Sequence, residues 1–421
     1  MNLPYLTNHL PGIGGSIRQR LEDFQVRELP LYEAGGHGTH VYFTVRKAGL
    51  PTTAAVERIA RHMGVHPHEI GFAGLKDAQA LTWQRMSLEH ADAQRLQSLR
   101  DPCVGISDIT RHTNKLRAGH LAGNRFAIRI RGVGQEHLEA ARAALDVLIA
   151  RGVPNYFGPQ RFGARQDTHL LGRAMVAGGL EEFVALLLGR SRPDDPPDCK
   201  AARDAFDAGF LQRALDLWPR HYRDQRKALA AYKKKRRPMQ ALLAVDKRMR
   251  RLFVSAFQSH MFNTVLARRL ESLDRVLEGD LAQKTDTGGV FYVEGAATEQ
   301  PRADRFEISP TGPLFGYRSS LARGEPGYLE QQALQESGVD LEAFRGLKPM
   351  KVQGSRRPLR FRLIEPGLDA GSDEHGGFIE LAFTAPAGAY ATVALGEIMK
   401  TAAHEPGEIQ AADEAEDKTL G

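Results

Sequence analysis

The sequence predicts an α+β protein in which one domain is split by the insertion of another. Three observations carry that expectation. Apolar and polar residues alternate through the early chain, at Val41, Phe43 and Val45 and again at Phe126, Ile128 and Ile130, the period of a half-buried strand. From about residue 165 the chain turns helical and then strongly basic. Alternating strands return around Arg356 to Ile364 and Phe378 to Phe383. The expected split domain is 1–153 with 355–403, the insertion is 154–354, and the acidic, small-residue stretch 404–421 is expected to be a disordered tail. A chain of 421 residues suffices for two or three domains at roughly 150 residues each.

The elements follow in chain order. Phe24 and Val26 alternate with polar neighbours in Glu22 to Glu28, as on a strand with one face buried. Residues 40–46 form the next strand, and Thr52 or Thr53 is placed to cap a helix carrying Val56, Ile59, Ala60 and Met63. Ile70 and Phe72 end a buried strand, and Thr82, Gln84, Met86 and Leu88 begin another. Between them, in a turn opened by Gly74, stand Lys76 and Asp77. On a free turn such a pair is solvated surface. Held between two ordered strands, the carboxylate is fixed where chemistry needs it. Residues 123–131 make a strand with Phe126, Ile128 and Ile130 on one face and Arg125, Arg129 and Arg131 on the other. Leu138, Ala141, Leu145 and Leu148 make an amphipathic helix that Gly152 and Pro154 end. Residues 170–188 read as helical, 191–198 as a linker rich in Pro and Asp, and 252–270 as a helix with Phe253, Phe257, Met261 and Val265 on its apolar side. Short turn-rich strands follow before the alternation returns.

Charge and composition narrow the classes of function. A net charge of +6 and a pI of 9.3 favour an anionic partner such as nucleic acid. The charge is concentrated: residues 223–251 hold twelve cations, including Lys233, Lys234, Lys235, Arg236 and Arg237, against Asp224 and Asp246. That run reads as an electrostatic footprint for an RNA backbone. Cys103 and Cys199 are too few and too far apart for a disulfide framework or a CxxC metal site. His37, His40, His62, His66 and His68 lack metal-site spacing, so no metal is expected. The glycines of Pro11 to Gly15 follow no strand and open no GxGxxG or GKS/T motif, so no nucleotide cofactor is expected either. No apolar run approaches the ~20 residues of a membrane span, and no secretory signal is evident. A cytoplasmic, monomeric protein is the expectation.

Several motifs fall in a telling order. Gly74-x-Lys76-Asp77-x-x-Ala80-x-Thr82-x-Gln84 follows Glu22-Asp23-Phe24-x-Val26-x-Glu28, and Gly123-Asn124-x-Phe126-x-Ile128 follows both. The string Asn155-Tyr-Phe-Gly-Pro-Gln-Arg-Phe-Gly163 comes next, then Gln258-Ser259-x-x-Phe262-Asn263 and Pro386-Ala-Gly-Ala-Tyr-Ala-Thr392. Together they resemble the TruD-type tRNA pseudouridine synthases over most of the chain outside the tail. The resemblance implies a catalytic core with a mostly antiparallel sheet, split by an inserted α/β domain. It implies tRNA as substrate, modified at uridine 13 in the D arm. Asp77 stands where the family carries its nucleophile, and Arg18 where a lysine lines the active site. Phe126 matches a phenylalanine beside the target base, with Asn124 next to it, and Tyr390 an active-site aromatic. Arg161, among the aromatics of the fourth motif, is placed to reach a phosphate. Gly396 stands where the family carries an arginine.

Pseudouridylation breaks the N1–C1′ bond, turns the uracil and rejoins it through C5. It needs a carboxylate near ribose and base, as nucleophile or proton acceptor, a cation that favours its ionised form, and an aromatic to hold the unstacked base. These roles are expected of Asp77, of Arg18 or Lys76, and of Phe126 with Tyr390. The competing expectation is a structured-RNA-binding protein that keeps the fold without catalysis.

Overall fold

A computed structural model describes residues 3–346, 350 and 352–401. The stretch 404–421 lies outside the described residues. Two compact units result. One is Tyr156–Leu359, and the other joins Pro4–Asn155 to residues 360–401.

The discontinuous unit is built on a mixed sheet. Its strands are β1 (Phe24–Pro30), β2 (His40–Ala48), β3 (Gly71–Phe72), β4 (Leu81–Glu89), β5 (Val104–His112) and β6 (Leu121–Arg131). A short β7 (Val153–Pro154) follows. The other unit contributes β8 (Leu281–Lys284), β9 (Val290–Tyr292), β10 (Ile308–Leu314) and β11 (Ser355–Pro358). The chain then returns through β12 (Arg360–Phe361), β13 (Ile364–Asp373) and β14 (Gly376–Pro386). The main sheet has eight strands, ordered β13-β14-β6-β1-β4-β2-β5, with β3 beside β4. Only the β1–β4 pairing is parallel; the others are antiparallel. The fold is α+β with a mixed, mostly antiparallel main sheet.

Side chains of residues paired across strands share a face. Lys47 pairs with Thr82, Thr82 with Val26, Val26 with Phe126, and Phe126 with Phe383. The next pairs along the same face are Val45 with Gln84, and Glu28 with Asn124. One face of the sheet therefore carries Lys47, Gln84, Glu28, Asn124 and Phe126 together. Toward β2 that face is apolar. Val41, Phe43, Val45, Met86 and Leu88 pack with Ala55, Val56, Ile59 and Ala60 of the helix Thr52–Met63. The opposite face carries Arg27 over the Trp83 ring. Gly123 is required where β14 crosses β6, since a Cβ there would lie 2.3 Å from the Ala385 carbonyl oxygen.

The expected Thr52 or Thr53 cap does not form. The helix begins after Pro51 with no side-chain cap, because the Thr52 hydroxyl is spent elsewhere. The helical reading of 170–188 resolves into two helices, Thr168–Val176 and Leu180–Leu188. Gly178, at φ +73°, turns the chain between them in the left-handed region that glycine favours. In this unit the helix Lys247–Arg268 is central: Phe253, Phe257, Met261 and Val265 join Leu171, Phe183, Leu187 and Trp218 in one core. Its sheet is ordered β11-β10-β8-β9.

Candidate active site

Asp77 lies in the loop between β3 and β4. Three buried polar side chains hold this loop by its backbone. The Thr52 hydroxyl accepts the Lys76 N–H at 2.9 Å and donates to Gln84 Oε1 at 2.8 Å. Gln84 Nε2 in turn donates to the Gly74 carbonyl at 3.2 Å. Lys47, fully buried, donates to the carbonyls of Asp77 at 2.6 Å, Leu50 at 2.8 Å and Lys76 at 3.3 Å. Burial pushes the Lys47 ammonium down to about 8, against the opposing pull of Asp77 and with a smaller push from Lys76.

The Asp77 side chain is half-buried, the most accessible of the group at 33%. Its Oδ2 accepts from Arg18 Nη2 at 3.0 Å. Arg18 is only 7% exposed and its guanidinium lies 4.2 Å from the centre of the Phe24 ring. It holds this place with φ +59°, a left-handed conformation costly for any residue but glycine. Lys76, sequence neighbour of Asp77, turns away. Its Nζ pairs with Glu28 Oε2 at 2.7 Å, both side chains buried, and Glu28 Oε1 accepts the Arg85 N–H at 3.2 Å. Of the two cations expected beside the carboxylate, Arg18 is the one in contact.

Phe126 follows on the same sheet face, packed edge-on to Phe24 at 6.4 Å and tilted against Phe383 at 5.3 Å between ring centres. It is 7% exposed. Asn124, half-buried one rung along, has its Oδ1 enclosed without a hydrogen-bond partner among the described residues. An enclosed, unpaired amide oxygen costs stability unless something donates to it. Tyr390 is half-buried and immediately precedes the helix Ala391–Met399.

The other expected residues lie in the second unit. Arg161 is buried. It donates to the Ser255 and Ser259 hydroxyls of the helix Lys247–Arg268 and lies 5.4 Å from the Phe157 ring centre. Tyr156, Phe157 and Phe162 are buried with it. Asn263 clamps Phe157, accepting its N–H at 2.9 Å and donating to its carbonyl at 3.0 Å. The motif expected to present stacking rings and a phosphate-binding arginine is thus drawn into a helical core. Lys233, Lys234, Lys235, Arg236 and Arg237 are all exposed. They end the helix Arg223–Lys235, which Arg236 stops in a left-handed conformation. Lys233 donates to Gln212.

Gly396 lies in the helix Ala391–Met399, and a Cβ there would meet only Tyr5, at an ordinary 3.5 Å. The Tyr5 ring also carries the Lys400 ammonium, 4.5 Å from its centre. The adjacent Glu397 is buried and accepts the N–H groups of Leu6 and Thr7, each at 2.9 Å. Among the described residues no group of three His, Cys, Asp or Glu side chains is placed to hold a metal ion.

Lys47, Thr52 and Gln84 are the residues that sequence reasoning left without a role at the site. Lys47 carried a signal: it continues the apolar stripe Val41, Phe43, Val45, where a charge is out of place unless it has partners.

Comparison with known proteins places this geometry. The model of the family described as "tRNA pseudouridine synthase D (TruD)" matches residues 1–398. The tRNA pseudouridine synthase D of Geobacter metallireducens is 43% identical over 397 residues, 94% of this chain and 97% of its own. That of Syntrophotalea carbinolica is 42% identical over 397 residues, 94% of this chain and 99% of its own. A crystal structure from Methanosarcina mazei, assigned as tRNA pseudouridine synthase D (TruD), superposes with a TM-score of 0.84 at 30% identity, covering 95% of this chain and 96% of that one.

Proposed function

The chain belongs to the TruD family of tRNA pseudouridine synthases and is an isomerase acting on uridine in tRNA; from that premise we propose that its target is uridine 13 of the D arm and that Asp77 is its nucleophile. One observation supports the second point above the rest. Asp77 is a half-buried, solvent-accessible carboxylate on a loop whose backbone is pinned by Lys47, Thr52 and Gln84. A reacting group held this way spends little binding energy on being ordered.

The remaining residues take roles that suit their chemistry. Arg18 orients the Asp77 carboxylate through its 3.0 Å contact. Phe126, braced by Phe24 and Phe383, offers a ring against which the turned-out uracil packs. The unpaired Asn124 Oδ1 is an acceptor suited to the N3–H of uracil. Asp77 attacks C1′ or takes a ribose proton as the N1–C1′ bond breaks; the held base turns, C5 bonds to C1′ as the carboxylate leaves or the ribose proton is returned, and C5 then gives up its proton while N1 gains one. We assign catalysis to the discontinuous unit and RNA-backbone attraction to the inserted unit through Lys233 to Arg237. Arg161 serves as an internal brace in this reading, given its burial against Ser255 and Ser259. A tRNA substrate suits a cytoplasmic protein, and one chain carries all the named groups, so a monomer suffices.

Among the described residues no helix is long and apolar enough to cross a membrane. The test is pseudouridine mapping of whole tRNA treated in vitro with the purified protein. A new pseudouridine at position 13 alone is expected. Modification at a different position refutes the assignment of uridine 13.

A further inference from the structure

We propose that Lys47 is a positioning residue for the reaction: its ammonium fixes the peptide units flanking Asp77 and thereby aims the carboxylate at Arg18 and the ribose. This deepens the reading of Asp77 given above and rests on it.

The geometry is specific. An ammonium has three N–H donors and no acceptor. Lys47 spends all three on carbonyls, those of Leu50, Lys76 and Asp77. Two of those carbonyls belong to the loop, and the shortest bond, at 2.6 Å, is to Asp77 itself. No carboxylate touches the ammonium among the described residues; the Asp77 carboxylate turns to Arg18 and Glu28 to Lys76. A charge enclosed without a contacting counter-ion is expensive. A methionine would fill the same stripe of β2 at far lower cost. The lysine therefore brings something that packing does not, and what it touches is the backbone of the proposed nucleophile. Thr52 and Gln84 complete the support at the Lys76 N–H and the Gly74 carbonyl.

The clamp has a chemical consequence. A neutral amine has two N–H donors and one lone pair, so on deprotonation one of the three carbonyls faces a lone pair and must move. The charged groups around it are Asp77 and Lys76, with Glu28 and Arg18 paired to those two. Burial lowers Lys47 to about 8, so the loop should loosen as pH rises through that value.

The experiment compares wild type, Lys47→Met and Thr52→Val by hydrogen exchange of residues 73–80, single-turnover pseudouridine formation and tRNA affinity. In Lys47→Met the loop amides should exchange at least ~10-fold faster while the helix Thr52–Met63 stays protected. The rate should fall about 100-fold, as for a misplaced reacting group, with affinity within about threefold of wild type. Thr52→Val, which removes one support of similar shape, should lose about tenfold in rate. The wild-type rate should decline above pH about 8 while its global fold persists. A folded Lys47→Met with wild-type loop exchange, or with a rate within about threefold, overturns the proposal. Should Lys47→Met fail to fold, a wild-type loop whose exchange, corrected for its intrinsic pH dependence, is unchanged from pH 7 to 9.5 overturns it equally. A wild-type protein that makes no pseudouridine refutes the functional reading instead, and loop exchange then judges the clamp by itself.

Discussion

Replacing Arg18 separates backbone strain from chemistry. Its backbone is left-handed, at φ +59°, which costs an L residue about 1–2 kcal/mol. Arg18→Ala keeps that cost and loses the side chain. Arg18→Gly loses the side chain but sheds the strain, less the ~0.5–1 kcal/mol of extra chain entropy glycine gives the unfolded state. The lost interactions include one charge-assisted hydrogen bond to Asp77 and the stacking on Phe24. Asp77 is 33% exposed, so water replaces part of the first, leaving about 1–2 kcal/mol. The stacking adds about 0.5–1 kcal/mol. From these two contacts Arg18→Ala should be destabilised by about 1.5–3 kcal/mol, and Arg18→Gly by up to about 1.5 kcal/mol less. Both should lose the same factor in single-turnover rate, about 100-fold if Arg18 holds the carboxylate in line. Urea unfolding and single-turnover pseudouridine assays on the two variants measure the two effects. A glycine variant with the wild-type rate would show that the guanidinium does not orient Asp77.

Other outcomes are equally open to measurement. Phe126→Leu keeps an apolar side chain between Phe24 and Phe383, so stability should change by less than about 1.5 kcal/mol while the rate falls about tenfold from lost base stacking; an unchanged rate would return Phe126 to a purely packing role. Replacing Lys233, Lys234, Lys235, Arg236 and Arg237 with glutamine should weaken tRNA binding and flatten its dependence on salt, and an unchanged slope would make that run an ordinary solvated helix end. His169, stacked on His260 at 4.3 Å, is held down to about 4 by burial first and then by His260. The unfolded chain takes up that proton first, so the stability it contributes is full above about 6.5 and is lost as pH falls toward 4. His169→Phe should lessen the acid loss of stability between those values, as followed by urea unfolding, and an identical pH dependence would refute the assignment.

Much of the fold was legible because sheet periodicity is local. In β2 and β6 the buried residues Val41, Phe43, Val45 and Phe126, Ile128, Ile130 recur at every second position, and no distant contact is needed to see that. The parallel pairing of β1 with β4 was not legible, since strand partners are chosen by the whole sheet. The loop of Asp77 was visible as a turn between two strands, but its supports were not. Thr52 read as a helix cap because a cap is a local pattern, whereas its bonds to Lys76 and Gln84 join positions 24 and 32 residues away. Arg161 read as a phosphate ligand because it stands among aromatics in its motif; its bonds to serines of a helix some 95 residues on are not visible in the local sequence. Lys47 was the missed clue, a charge at the end of an apolar stripe.

The proposed mechanism stands or falls with Asp77 as the catalytic carboxylate. It is tested by single-turnover conversion of uridine in tRNA by wild type and Asp77→Asn, with tRNA affinity measured on the same preparations. Asparagine keeps the shape of the side chain and an acceptor for Arg18 but is neither a nucleophile nor a base. Asp77→Asn should form no pseudouridine at any time, with tRNA bound within about threefold of wild type. Product accumulating from a pure Asp77→Asn preparation would contradict it.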